Sequence, residues 1–443
     1  MKPKEVPSYA VNLGLKYGAT DVAAKLIELD RTMIRFSNNE VTASKNFREC
    51  IVSIFVMMKK QRAGSVASIL SAKALERAVK KLVKMAKTSP AADVYAPLPK
   101  GPFQYDPSIM KPSQTSLNPN KLISYVKEAI GGASESGASR VAGSLIATNA
   151  ETTLETSSQA SALQRGSSLE ISVRAFASDV ASGHSVSIAQ SEQEFRPADA
   201  GRLAGEIAKM ALKPQQGEPG RYTALLSPLI FGDLINQMGT LSSAFLVDAG
   251  FSFLKDKIGL PVASKNFTLT DDPTLQNAYG TKAFDDEGLP AKRNVIVQDG
   301  TLKTYLHNST TAKKYGAKTT ANAGLIVPSP WNLVVEPGGK TFEEMLSRID
   351  EGIYVTNNWY LRYQDYSRGD FSTIPRDGIF HIKNGQIKSP VRDLRISDNM
   401  LRIFQNIREL SKSRFWVKWW EVSVPTLAPY AVVENVNFTR STM

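Results

Sequence analysis

The sequence predicts an α+β protein: an N-terminal α/β region of antiparallel strands and helices, followed by a β-rich C-terminal domain of barrel-like or sandwich-like form. Three observations predict it. Helical and period-2 apolar patterns alternate through residues 1–214. The stretch Lys213-Pro214-Gln215-Gln216-Gly217-Glu218-Pro219-Gly220 then breaks all periodicity. After one further helix, short β segments follow one another, punctuated by Asp299-Gly300, Pro337-Gly338 and Asn384-Gly385. These breaks divide the chain into an N-terminal α/β subdomain (1–89), a Pro-rich connection (90–118), a central α/β subdomain (119–214) and the β-rich domain (221–443).

The elements follow in order. A first helix is expected around Tyr9 to Tyr17, before Gly18. Met33 to Phe36 and Val41 to Ser44 read as strands joined at Asn38-Asn39, since asparagine tolerates the left-handed backbone of a tight hairpin turn. Cys50 to Met58 reads as a buried strand that turns into Ser65 to Leu70. Ser71 caps a helix whose apolar face is Leu75, Val79, Leu82 and Ala86. Seven prolines from Pro90 to Pro119 exclude regular structure between the two halves.

Asn118-Pro119 opens the next helix, with proline where a missing N–H costs nothing. Ser168 to Phe176 alternates apolar and polar residues, as a half-solvated strand does. Leu203, Ile207 and Ala211 line a further helix. Tyr222 to Leu226 is a strand, and Ser227 with Pro228 starts a helix packing through Ile230, Leu234, Met238 and Leu241. One helix is expected to interrupt the β segments near Thr341 to Ile349, with Glu343 and Glu344 in its first turn. No internal repeat is legible.

Composition narrows the function classes. The 443 residues suit two or three domains, and 42% are hydrophobic, ordinary for a globular protein. Lys and Arg number 54 against 42 Asp and Glu, a formal net charge of +12, but no run of five like charges concentrates it. A solvated basic surface therefore outweighs nucleic-acid binding. The single cysteine, Cys50, excludes an internal disulfide and a thiolate cluster for zinc, and fits a reducing compartment. The apolar run from Ile51 to Met58 is too short for a bilayer, and Met1-Lys2-Pro3-Lys4-Glu5 lacks a signal's apolar core. A cytoplasmic protein without a membrane partner is expected.

The motif search leaves few sites. Gly338-Gly339-Lys340-Thr341 ends like a phosphate loop, but Val334 stands where the first glycine belongs. No Gly-x-Gly or Gly-x-Ser-x-Gly occurs. His184, His307 and His381 are far apart, and a hydrolase would need them to converge in space. Phe415, Trp416, Trp419 and Trp420, interleaved with Arg414 and Lys418, suit burial at a core or subunit contact more than base stacking. Asp285, Asp286 and Glu287 form the densest carboxylate cluster, and turns favour aspartate for local backbone hydrogen bonds.

Phe284-Asp285-Asp286-Glu287-Gly288-Leu289-Pro290, with Gly300-Thr301-Leu302-Lys303-Thr304-Tyr305-Leu306, resembles the TldD/PmbA family of peptidase-related proteins. The resemblance extends to Arg35-Phe36-Ser37-Asn38-Asn39-Glu40-Val41 and to Asp365-Tyr366-Ser367-Arg368-Gly369, the latter similar to the PmbA (TldE) branch. In the TldD branch, the first long helix of the C-terminal domain carries a His-Glu-x-x-x-His metal motif, with a later cysteine ligand. Here that helix, Ser227 to Thr240, holds no histidine, glutamate or cysteine, and no cysteine follows Cys50. The resemblance thus implies a TldE-like chain with no catalytic or metal residues and no cofactor of its own. It also implies a TldD-like metalloprotease partner that bears zinc, a peptide substrate held in an internal cavity, and a homodimer when the chain is isolated. The binding residues it suggests are Asp285, Asp286 and Glu287 on the cavity wall, and Asp365 and Arg368 as an ion pair or peptide contact. A stand-alone peptide- or nucleic-acid-binding protein, or a hydrolase built on the three histidines, is the alternative.

Overall fold

The computed structural model describes residues 2–68, 71–110 and 114–441. Its N-terminal half is built on one six-stranded antiparallel sheet. The strands are β1 (Asp21–Ser37), β2 (Glu40–Met58), β3 (Gln61–Ala67), β4 (Arg140–Thr156), β5 (Ser161–Ser178) and β6 (Ala181–Ala189), in the order β3-β2-β1-β4-β5-β6. α1 (Val6–Lys16) and α2 (Ala72–Thr88) flank the first three strands, and the helices Pro119–Glu135 and Pro197–Met210 flank the second three. The backbone therefore repeats a helix, three strands and a helix about the antiparallel β1–β4 pair, although the sequence shows no repeat. The segments on either side of the Pro-rich connection share a single sheet.

The β1–β2 hairpin is far longer than its apolar pattern suggests. It pairs from Asp21 with Met57 to Ser37 with Glu40, around Asn38 and Asn39 at φ 52° and 66°. Its middle carries Glu28, Asp30, Arg31, Lys45, Arg48 and Glu49, and residues 45–49 are exposed, so no burial pattern marks these turns of the strand. β3 ends at Ala67; the expected strand end at Leu70 lies outside the described residues. Ser71 and Asn118 cap their helices as expected, each accepting a backbone N–H through its side chain. In the Pro197–Met210 helix, Leu203 is exposed, while Ala200, Gly201, Ala204, Gly205 and Ala208 form the buried stripe with Ile207. The reason is proximity: this helix packs so tightly on the Pro119–Glu135 helix that only small residues fit between them.

The C-terminal half is a connected β network of parallel and antiparallel pairs. Its spine is the strand Thr426–Arg440, which pairs with Gly220–Leu226, Ile407–Val417, Leu394–Asn399 and Leu333–Val335. Gly220–Leu226 continues in parallel to Glu351–Val355. The helix Pro228–Leu241 sinks into this domain with almost every residue buried, including Ile230, Phe231, Leu234, Ile235 and Met238. Such all-round burial explains its weak amphipathic pattern. The α+β fold, with a helix-backed antiparallel sheet and a β-rich C-terminal part, is thus the one the sequence predicts.

Alternation along the strands gives the N-terminal sheet two unlike faces. Val22, Ala24, Leu26, Ile34 and Phe36 point to the helices. Lys25, Glu170, Ser172, Arg174 and His184 point the other way and meet the C-terminal domain. The seam between the halves therefore combines these polar groups with apolar clusters, Ile207 and Ala211 with Leu225 and Phe380, and Leu154 and Ala162 with Phe284, and the acidic turn lies along it.

Candidate functional site

The acidic turn sits on this seam. Phe284 bridges to Pro290, and Gly288 turns the chain at φ 86°. Asp285 is completely buried. Its Oδ1 accepts the backbone N–H groups of Glu287 and Leu289, each at 3.0 Å, and its Oδ2 accepts that of Ala323 at 3.1 Å. Asp286 forms an ion pair with Lys25 of β1, joining the two halves. Glu287 accepts from the Ser309 N–H and hydroxyl at 3.0 and 2.5 Å, at the start of the Ser309–Tyr315 helix. Burial, with the Glu287 charge, pushes the Asp285 carboxyl well above its ordinary range against those backbone donors. Burial likewise raises Glu287. The crevice that Asp286 and Glu287 line with Tyr95 and Asn308 is only about 20 Å³, room for roughly one water.

Asp365 and Arg368 lie elsewhere, in the turn between Trp359–Asp365 and Asp370–Ile374. Asp365 accepts the Ser367 N–H, the Ser367 hydroxyl and the Arg368 N–H at 2.8, 2.7 and 3.1 Å. The expected ion pair between the two side chains is replaced by another: the Arg368 guanidinium meets Asp370 at 3.0 Å. Asp365 is held by local hydrogen bonds because the tight turn brings those donors to it first.

The helix where a metal motif would fall presents different chemistry. Asp233 is completely buried, with Oδ2 accepting from Asn358 at 2.6 Å and Oδ1 from Gln237 at 3.3 Å. Burial pushes its carboxyl up to about 7, against those two hydrogen bonds. Asn236 donates to the Val424 carbonyl at 2.8 Å. No imidazole or thiolate joins Asp233, and no group of three or more His, Cys, Asp and Glu converges among the described residues. Zinc takes three or four protein ligands from His, Cys, Asp and Glu, and one carboxylate already bound to two amides does not make such a set.

The three histidines do not share a site: no hydrogen bond or ring contact joins any two of them among the described residues. His184 comes nearest to a catalytic arrangement, and sequence reasoning missed its setting. Its Nε2 lies 2.9 Å from Ser172 Oγ, and its Nδ1 lies 3.4 Å from Asn357 Nδ2. Asn357 is fixed in orientation, since its Oδ1 accepts the Asp377 N–H and its Nδ2 donates to the Asp377 carboxylate. Nδ1 therefore accepts, and Nε2–H donates to the serine, the reverse of a base that takes a hydroxyl proton. Burial lowers His184 to about 4. Asp377 collects Arg174 at 2.7 Å, Ser182 at 2.5 Å and Trp359 Nε1 at 2.8 Å. Burial works to raise Asp377, yet Arg174 and these donors leave it below its usual value. The arrangement is a second polar staple across the seam, assembled from residues nearly two hundred positions apart.

The remaining motifs resolve structurally. Thr341 caps a short helix, and a Cβ at Gly338 would stand 1.8 Å from the Leu410 carbonyl oxygen, so this glycine serves packing. Trp419 is buried in the core against His184 and Trp359, whereas Phe415 and Trp420 are exposed on this chain. No helix is long and apolar enough to cross a membrane among the described residues.

Comparison with known proteins agrees with this architecture. Over its whole length the chain is similar in fold to TldE from Thermococcus kodakarensis (TM-score 0.84, 18% identity, 98% of this chain and 100% of that one). It is 33% identical over 221 residues to a metalloprotease of Methanocaldococcus jannaschii, covering 47% of this chain and 48% of that protein. It is 29% identical over 201 residues to the metalloprotease PmbA of Escherichia coli, covering 43% and 42%. The chain spans about half the length of the curated relatives it matches. Residues 219–440, half of the chain, match the PmbA/TldA metallopeptidase C-terminal domain, and the chain thereby belongs to the TldD/PmbA family.

Proposed function

We propose that this chain is the TldE-like, non-catalytic subunit of a two-chain, zinc-dependent peptidase that acts on peptides or unfolded segments. The observation that carries this reading is the Pro228–Leu241 helix: it offers one buried carboxylate, engaged by Asn358 and Gln237, and no imidazole or thiolate. The metal and its chemistry then belong to a TldD-like partner. This chain completes the peptide-holding cavity, with the turn at Asp285, Asp286 and Glu287 fixing its wall across the seam. The edge strand β3, whose Val66 is exposed, offers backbone groups for an extended peptide to pair with. Asp365 and Arg368 are further candidates for peptide contact at the protein surface. A cytoplasmic location and a homodimer in isolation complete the proposal.

The test is to purify this chain alone, a TldD-like chain from the same organism alone, and the two co-expressed. Metal content and cleavage of an unstructured peptide are measured for each. Zinc and cleavage are expected with the partner and in the complex. Stoichiometric zinc on this chain alone contradicts the proposal.

A further inference from the structure

Between the polar face of the N-terminal sheet and residues 279–282 of the C-terminal half lies a cleft of about 170 Å³. It is separate from the acidic turn and from the Pro228–Leu241 helix. Thr148, Thr152, Gln164, Ser168, Gln190 and Lys282 are among the residues that line it, and no carboxylate does. Three of these side chains are donors without a protein acceptor among the described residues. The Lys282 ammonium makes no hydrogen bond or ion pair there, and rests over the Trp331 ring, 4.4 Å from its centroid. Gln190 is 6% exposed, and its side-chain amide has no hydrogen-bond partner there. The Thr152 hydroxyl also has none.

The neighbouring acids are engaged elsewhere. Asp286 holds Lys25, and Glu170 holds Lys418 at 2.6 Å and the Tyr279 hydroxyl at 2.9 Å. Glu151 holds Arg165 at 2.8 Å. A second cation, Arg31, stands beside the cleft with its Nε on Thr148 at 3.2 Å. Burial, with the nearby Lys25 charge, lowers Lys282 to about 8, so at neutral pH it is still charged. Asp286 offsets this only in part, since its carboxylate is already paired with Lys25; a desolvated cation without an ion-pair partner of its own is costly, and an anion in the cleft relieves that cost.

We propose that this cleft binds an oxyanion, a carboxylate or phosphate group taken by the Lys282 ammonium with Gln190 and Thr152 as neutral donors. The site stands independently of the subunit role proposed above. A peptide's C-terminal carboxylate and free phosphate share this chemistry.

The test titrates the purified full-length chain, at constant ionic strength, with an acetylated dipeptide, the same dipeptide as its C-terminal amide, and inorganic phosphate. Saturable binding of the free-carboxylate peptide or of phosphate is expected, without binding of the amide. Binding should weaken by about tenfold or more in Lys282→Met, the loss expected for one charge-assisted hydrogen bond. Carboxylate-selective binding assigns the cleft to peptide termini or small acids, and phosphate-selective binding to phosphate; either supports the site. Absence of saturable binding by any probe overturns the proposal, as does equal binding by wild type and Lys282→Met. Should Lys282→Met fail to fold, acetylation of wild-type Lys282 is followed by peptide mapping. The bound probe should slow it about fivefold or more relative to exposed lysines, and an unchanged rate overturns the proposal.

Discussion

Asp285 is completely buried yet accepts three backbone N–H groups, so its removal strands donors that nothing else can reach. Asp285→Ala should cost about 3 kcal/mol or more of unfolding free energy, measured by urea titration. A loss under about 1 kcal/mol would mean that the turn is held by other contacts. Asp233 gives a pH signature. Its folded-state carboxyl, near 7, lies above the unfolded value, so the folded form keeps its proton while the unfolded form loses it. Its contribution to stability therefore falls as pH rises from about 4 to 7. Asp233→Asn should raise the melting temperature at pH 8 and change it little at pH 4. His184 acts in the opposite sense on the acid side, because burial lowers its pKa: stability is lost as pH drops from about 6.5 toward 4. Aspartates in turns are legible from sequence as hydrogen-bond acceptors. The identity of their donors is not, since Ala323, Ser309 and Lys25 come from distant elements.

At the scale of the element, caps and helix starts were the most legible features, because Ser71, Asn118-Pro119 and Ser227-Pro228 act on neighbours within a few residues. The long β1–β2 hairpin was only partly legible, since its polar middle is buried by neither half and offers no alternation to read. The Leu203 face departs from its pattern for a related reason: an apolar residue every four positions suggests a core, but the helix contact selects for small size. A Cβ on Gly201 would lie 1.9 Å from the Ala129 carbonyl oxygen. Gly201→Ala must therefore push the two helices apart, and should destabilise by about 2 kcal/mol or more despite alanine's better helix propensity. Circular dichroism melts of Gly201→Ala beside Gly131→Ala check this, since Gly131 has open space around its Cβ. Equal melting temperatures would contradict the close-contact account.

Across the whole molecule, the halves are joined by polar staples, Lys25 with Asp286, Arg174 with Asp377, and Glu170 with Lys418, and by apolar clusters that unite Ile207 with Phe380 and Leu154 with Phe284. These fix the orientation of the sheet over the β-rich part and leave clefts between them. The wild type should unfold in one calorimetric transition, and Lys25→Met combined with Arg174→Met should separate the two halves into two transitions. A single transition in that variant would assign the coupling to apolar contacts. The Pro228–Leu241 helix, in turn, carries no zinc-binding donor set. The most direct measurement is zinc per chain by inductively coupled plasma mass spectrometry on the purified chain, alone and in complex with a TldD-like partner. Zinc near zero on the isolated chain, and about one zinc per complex, is the predicted result. One zinc per isolated chain, retained through dialysis against a weak chelator, would contradict it.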